Sequence, residues 1–451
     1  MFKSKTGDRS ADMTAGIVWK QLVLFALPLF ASSLIQQLYN TVDLIFVGRI
    51  LGKEASAAVG ASSMLVNCLV VFFTGLSTGT GVVVSRYFGA KKYNDLRRTV
   101  HTAVAISIGG GVLLTVIGYF LAPYFLGWMN TPGDIHDQAL GYVRVYFYSL
   151  TAIVGYNICS GVLRAIGDSR SPMIYQLIGG LVNVTANFLF VYIFKWGVKG
   201  SAAATLVSQT LAAVLVLIRL TKLNEAYKLQ FRHIAMNAAI TKEILVVGIP
   251  AGIQAMATSL SNLFVQYHIN SLGVDVIAAY TVYFKVELFI YLPIMAISQA
   301  SGTFTGQNIG AGQVDRVKRG KNVCIIIGLC VTVGLCAFMM FTANQVFSLF
   351  TAEKEIIEIG KSIAKITFPF YFFYVFLEVY GSTIRGSGKS LPPMVIILTS
   401  MCVFRPTLLK VMMHYFNNAL CIAVIYPVTW FIAALLLGVY YYSGRVIETK
   451  N

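Results

Sequence analysis

The chain has 451 residues, 57% of them hydrophobic and only 12% charged, and its mean hydropathy is +0.72. A soluble domain carries about twice that charge, so the composition excludes a soluble fold and points to a chain that crosses a lipid bilayer many times. The net charge of +17, from 35 basic and 18 acidic residues, would suggest nucleic acid in a soluble protein; here it reads as basic loops on one face of a membrane, with no nucleic-acid partner.

The first 16 residues are polar, and the apolar run after them is too long for the core of a cleaved signal peptide. They are expected to form a tail. Charged or Gly/Pro-containing stretches then bound twelve apolar runs, at 17–48, 56–86, 97–123, 138–163, 172–194, 200–220, 243–271, 276–308, 319–343, 357–384, 392–415 and 419–443. About 20 residues suffice to cross a bilayer, so the longer runs are expected to tilt, bend or extend past it. Basic residues gather before the first run and after every second one, as in Arg86, Lys91, Lys92, Arg97 and Arg98 after the second or Arg316, Lys318, Arg319 and Lys321 after the eighth. The positive-inside rule places those loops and both termini in the cytoplasm. All seven cysteines fall within apolar runs with no CxxC spacing. They read as small buried hydrophobes, neither disulfides nor metal ligands.

The second half of the chain repeats the first. Gly52, Gly89, Ala90, Arg164, Gly167, Pro172 and Met173 recur, 221 residues later, as Gly273, Gly310, Ala311, Arg385, Gly388, Pro393 and Met394. "LRAIGDSRSPM" and "IRGSGKSLPPM" are the clearest pair. Six helices per repeat is an even number, so both halves have the same orientation, an arrangement found in alternating-access carriers. The predicted organisation is a cytoplasmic tail (1–16), a six-helix lobe (17–220), a cytoplasmic linker (221–242) expected to include an amphipathic surface helix, a second six-helix lobe (243–443) and a cytoplasmic tail (444–451).

"GRILGKEASAAVGASSM", "SRYFGAKKYNDLRR", "LRAIGDSRSPM", "WGVKGSAAATLVSQ" and "FTGQNIGAGQVDRVKRG" stand at the spacings of the multidrug and toxic compound extrusion (MATE) family. Through their order and duplication the chain resembles that family over roughly residues 17–443. The resemblance implies the all-α MATE fold of the MOP superfamily, with twelve transmembrane helices in two pseudo-symmetric lobes. It also implies cation-coupled export of organic, often cationic, compounds. No cofactor is implied beyond a transmembrane proton or sodium gradient, and the partners implied are a small organic substrate and the bilayer, with no obligate protein partner. The short loops suit a bacterial inner membrane.

Acids within the apolar runs are the candidate functional groups. Asp43 ends the first run in "QQLYNTVDLIFVG", with Gln36 and Tyr39 seven and four residues earlier on the same helical face. Lipid cannot satisfy such a stripe, so it is expected to face protein or a cavity, either as a helix-packing cluster or as a functional site. Burial disfavours ionised carboxyl groups, which suits them to taking up and releasing a proton. Pro28, fifteen residues before Asp43, removes a helix hydrogen bond and offers a bend point. The pair resembles the first-helix proline and aspartate of the family's DinF-like branch, where protonation is associated with bending of that helix. Asn183 and Asn187 share a face of the fifth run; that branch often has aspartate at the second position, whereas Asn187 does not titrate, which leaves Asp43 as the acid of the first lobe.

The second lobe offers Glu287 and Glu378, with Arg405 or Lys285 as expected ionic partners in a self-neutralising cluster. The family's NorM-like branch uses a glutamate on its seventh helix and an aspartate on its tenth. Here the stretch "IPAGIQAMATSLSN" of the seventh run has no acid, so a NorM-type sodium site is not expected. No HExxH or GxGD motif is present, and enzyme function is not expected. The alternatives to multidrug export are a flippase of lipid-linked glycans from the same superfamily and an exporter dedicated to a single metabolite.

Overall fold

The computed structural model describes residues 11–46, 50–128, 133–224, 226–444 and 446. The expected outer tails, 1–10 and 447–451, lie outside the described residues. Every regular element described is helical: α1 (Val18–Phe46), α2 (Gly52–Gly89), α3 (Tyr93–Trp128), α4 (Gly133–Ala165), α5 (Arg170–Asn187), α6 (Gly197–Thr221), α7 (Ala238–Asn270), α8 (Val274–Gly310), α9 (Val314–Phe341), α10 (Ala343–Ser348), α11 (Lys354–Thr367), α12 (Tyr371–Gly386), α13 (Leu391–Leu398), α14 (Arg405–Phe416) and α15 (Ala419–Tyr442). Among the described residues twelve helical stretches are long and apolar enough to cross a membrane, and each overlaps one of the twelve predicted runs. The tenth combines α11 and α12, hinged at Phe368–Phe370 around Pro369; the eleventh combines α13 and α14. The 37 residues of α8 rise about 56 Å, well beyond a hydrocarbon core of roughly 30 Å, so its ends reach past the bilayer or the helix tilts.

The repeat seen in the sequence is also a repeat of backbone geometry. Gly52 opens α2 and Gly273 immediately precedes α8, with φ of 87° and 101°, and Gly167 and Gly388 occupy corresponding turns at 91° and 92°. Only glycine adopts such angles without strain. Alternating turns of this kind stop one helix and aim the next.

The chain divides into two compact units. One comprises residues 1–12 and 31–252, the other 13–30 and 253–451. In the first, α4 packs against α2, α3 and α6; in the second, the corresponding α12 packs against α8, α9 and α15. The division does not fall in the linker. The start of α1 buries Leu22, Phe25 and Leu29 in the core of the second unit, joined there by Met13. The start of α7 buries Ile240 and Ile244 in the core of the first. Met13, within the stretch read as tail, is therefore seated: its N–H donates to Gln307 Oε1 at 2.9 Å, and Arg316 donates to the carbonyls of Met13 and Gly16 at 3.1 and 2.9 Å.

Within the first unit α7 meets α2 at glycine-to-glycine contacts. A Cβ built on Gly75 would lie 2.1 Å from the Gly252 nitrogen, and one on Gly79 would lie 2.5 Å from the Ile244 oxygen and 2.6 Å from the Gly248 Cα. Each helix thus presents two glycines four residues apart, the spacing that lets membrane helices touch backbone to backbone. Between α6 and α7 the described residues of the linker form no amphipathic helix. The linker makes one short 3-10 turn, Phe231–His233, because Leu223, Tyr227 and Leu229 are buried in the first unit and the Leu229 N–H folds back onto the Leu220 carbonyl at 3.0 Å.

Asp168, in the turn before α5, is buried with Arg219. Arg219 Nε lies 3.1 Å from its Oδ2, and Ser171 donates its backbone N–H and hydroxyl to the same carboxylate at 3.0 and 2.7 Å. Removing one partner of a buried pair leaves the other charge uncompensated, at a cost of about 3–5 kcal/mol. Asp168→Ala is therefore expected to lower the melting temperature of the solubilised protein sharply, with Asp168→Asn intermediate because it can still accept from Ser171. Equal melting temperatures for all three would show that the pair contributes no net stability.

Candidate functional site

Asp43 lies near the end of α1, and two features of the sequence bring partners to it. After α5 the backbone widens into a turn over Phe188–Ile193, in which the Phe194 N–H reaches back five residues to the Leu189 carbonyl at 2.8 Å. Wide turns of this kind recur at functional sites. Next, Gly200 lets α6 approach that turn, since a Cβ there would lie 3.1 Å from the Phe190 carbonyl. Ser201 follows and donates its hydroxyl to Asp43 Oδ1 at 2.8 Å. Asn187, the last residue before the wide turn, lies beside the Asp43 side chain.

The surrounding groups are neutral. Asn187 Nδ2 donates to the backbone carbonyl and the Oδ1 of Asn183, both at 3.2 Å, and Asn183 Nδ2 donates to Ser208 Oγ at 3.4 Å. Asn187 Oδ1 is buried without a partner among the described residues. Gln209 Nε2 donates to the Tyr39 hydroxyl at 3.4 Å, which Gln36 and Gln176 also approach. The structure thus brings together the predicted residues Asp43, Tyr39 and Gln36 of α1 and Asn183 and Asn187 of α5, with Ser201, Ser208 and Gln209 of α6 bonded to them. Among the described residues no base lies within ion-pair distance of Asp43. Pro28 sits inside α1, two residues before the helix passes from one unit to the other.

The second unit holds its own polar cluster, differently balanced. Glu287 on α8 accepts hydrogen bonds from the hydroxyls of Tyr371 and Tyr283, and the Tyr283 hydroxyl also lies 2.9 Å from Thr367 Oγ1. Glu378 accepts from Ser298 Oγ at 2.9 Å, and its Oε2 lies 4.0 Å from Arg385 Nη2. The sequence reading gave these acids Arg405 or Lys285 as ionic partners. The geometry differs. Arg405 donates to Asn262 Oδ1 and Thr429 Oγ1 at 3.1–3.3 Å and stacks 5.0 Å above the Tyr426 ring. Lys285 is two residues from Glu287 and so on another face of α8; it is exposed, with its amine 5.8 Å from the Phe350 ring centre. The ionic partner of Glu378 is Arg385, which the sequence analysis singled out only as the repeat of Arg164.

Arg405 is held by its fork-shaped donor geometry as much as by charge, and a lysine cannot reproduce that fork. Arg405→Lys is expected to cost about 1–3 kcal/mol, read as a fall of several degrees in melting temperature. An unchanged value would mean that the bonds to Asn262 and Thr429 contribute nothing.

Ser201, Ser298, Tyr283 and Tyr371 were not singled out in the sequence. Ser201 carried one usable signal: it and Ser208 are seven residues apart in "GSAAATLVSQ", hence on one face of α6. The tyrosines are hidden among 24.

Comparison with known proteins matches this arrangement. The MatE family profile matches twice, over residues 28–189 and 250–409, one match in each repeat. The probable multidrug resistance protein YoeA of Bacillus subtilis is 30% identical over 434 residues, which cover 94% of this chain and 93% of that protein. The probable multidrug resistance protein NorM of Thermotoga maritima is 28% identical over 89% of this chain and 87% of its own. A solved structure of an outward-facing MATE family transporter of the MOP superfamily shares the fold, with a TM-score of 0.91 at 23% identity and coverage of 98% of this chain and 99% of that one. The chain belongs to the MatE family and is a multi-pass membrane transporter, not an enzyme.

Proposed function

We propose that this transporter exports amphipathic, cationic organic compounds by proton-coupled antiport with alternating access, and that Asp43 is the coupling group. The observation that carries this reading is the contrast between Asp43 and Glu378: among the described residues Asp43 is held by neutral donors alone, whereas Glu378 has Arg385 beside it. Glu287, likewise held by hydroxyl donors, is the competing candidate in the second unit. A carboxylate without a base in place can exchange a proton for an organic cation; one already paired gains less from either.

Asn187 suits both states of such a group. Its amide offers N–H to a carboxylate and, turned over, its carbonyl oxygen to a carboxylic acid. Protonation of Asp43 and binding of a cation would then exclude one another. Pro28 would let the two ends of α1 move separately, as in the DinF-like branch that the pair resembles. Relatives named for multidrug resistance favour small organic compounds over lipid-linked glycans. The basic loops support a reading in which both termini are cytoplasmic and the protein lies in the inner membrane.

The test is transport of a fluorescent organic cation in proteoliposomes under a proton gradient or a sodium gradient imposed separately. Proton-driven transport that is unaffected by sodium supports the proposal. Transport driven by sodium alone would refute coupling at Asp43 and move the site to the acids of the second unit.

A further inference from the structure

We propose that the first unit carries a binding site for the phosphate of an anionic phospholipid on the basic face of the membrane, formed by Arg97, Arg98 and the turn of the linker. This inference is independent of the transport reading. The site is a pocket of about 320 Å³ lined by Arg97, Arg98, His101 and Thr102 of α3 and by residues 233 and 235–237 of the linker. No acidic side chain lines it. Neither arginine has an ion pair among the described residues, although Arg219 and Lys361 do.

The pocket is fixed from beneath. His101 is buried, and both of its ring nitrogens are engaged. Nδ1 lies 2.7 Å from the Arg97 carbonyl, and Nε2 accepts the Gln230 N–H at 3.0 Å. Thr102 Oγ1 lies 3.4 Å from the Ala235 carbonyl and accepts the Asn237 N–H at 3.3 Å. These bonds hold the linker against α3 and set His233 next to the arginines, its ring edge-on to His101 with centroids 6.3 Å apart. His101 therefore serves as the tether of the pocket, and the guanidinium groups are left to meet the ligand.

The chemistry of the rim identifies the source of the phosphate. The apolar side chains of Phe231 and Met236 are 63% and 61% exposed, beside the pocket and on the same linker. Arg97 and Arg98 lie in the first two turns of a membrane-spanning helix that begins at Tyr93, at the level of the headgroups. Guanidinium groups pair with phosphate through parallel hydrogen bonds. A soluble phosphate would give Phe231 and Met236 nothing to contact, whereas a lipid brings acyl chains with its phosphate. Basic pockets beside membrane helices take anionic headgroups in this way.

The experiment is native mass spectrometry of the full-length protein titrated with phosphatidylglycerol and with phosphatidylcholine of the same acyl chains. Wild type is compared with Arg97→Gln/Arg98→Gln and with Lys354→Gln/Lys410→Gln, which removes the same charge from two exposed lysines elsewhere. Size-exclusion behaviour and melting temperature in phosphatidylcholine establish that each variant is folded. Wild type is expected to prefer phosphatidylglycerol by about tenfold or more. The arginine variant is expected to lose that preference and the lysine variant to keep it. Preference retained by the arginine variant, or lost equally by both, overturns the site. Displacement of the lipid by excess inorganic phosphate would overturn the lipid assignment in favour of a soluble anion.

Discussion

Asp43→Asn is expected to abolish proton-driven export while leaving the protein folded. Asparagine has the size of aspartate and can still accept the Ser201 hydroxyl, which lies 2.8 Å from Asp43 Oδ1. It can neither bind and release a proton nor hold a cation by charge. Exchange of one proton for one monovalent cation allows accumulation of about tenfold per pH unit, since one unit corresponds to about 1.4 kcal/mol. Wild-type liposomes with a gradient of one unit are therefore expected to approach that ratio, and the variant to stay near unity. Accumulation by the variant at the wild-type level would make Asp43 a packing residue whose hydrogen bonds hold α1 against α6. A variant that lost transport along with its melting transition would report on folding, so melting temperature is measured beside transport.

Gly75→Ala is expected to have the largest effect on assembly of any single added methyl group. Its Cβ would lie 2.1 and 2.2 Å from the nitrogen and Cα of Gly252 and 2.7 Å from the carbonyl carbon of Ala251. All three are backbone atoms, so no rotamer change makes room. Separating α2 from α7 to an ordinary contact of about 3.5–4 Å would also break the neighbouring contacts of Gly79, Gly248 and Ile244. Overpacking of this kind costs about 1–3 kcal/mol, and more where backbone must move. Gly109→Ala is the control: nothing lies within 4 Å of its added Cβ, and alanine is the better helix former by about 1 kcal/mol. The same substitution should thus lower the melting temperature at position 75 and leave it level or raised at 109. Equal responses would show that the two helices do not depend on the glycine contact.

The twelve spans were legible because hydropathy records which residues lipid accepts, a property summed over some 20 positions. The repeat was legible because glycine is required at positive φ, so Gly52 and Gly167 had to recur as Gly273 and Gly388. Helix packing was less accessible. Hydropathy cannot say that Leu22 and Phe25 pack in the second unit while Asp43, on the same helix, joins the first. The first-unit site was largely visible, since a polar stripe such as Gln36, Tyr39 and Asp43 has few places to go in a membrane. Its partner Ser201 was not, because a serine in an apolar helix usually satisfies itself on the preceding turn, as Ser85 does. In the second unit charge alone suggested Arg405 for the glutamates. The choice between it and Arg385 depended on α12, which carries Arg385 on the same helix as Glu378.

The seating of Met13 bears on how the chain is made. Its N–H bonds to Gln307, 294 residues further along. At about 5–20 residues per second of synthesis, the start of α1 waits roughly 15–60 s for the residues that hold it. During that interval α1 is in place while half of its packing surface has no partner. The second unit closes around α1 only after α8 has emerged, and any device that shelters nascent spans has most to do there.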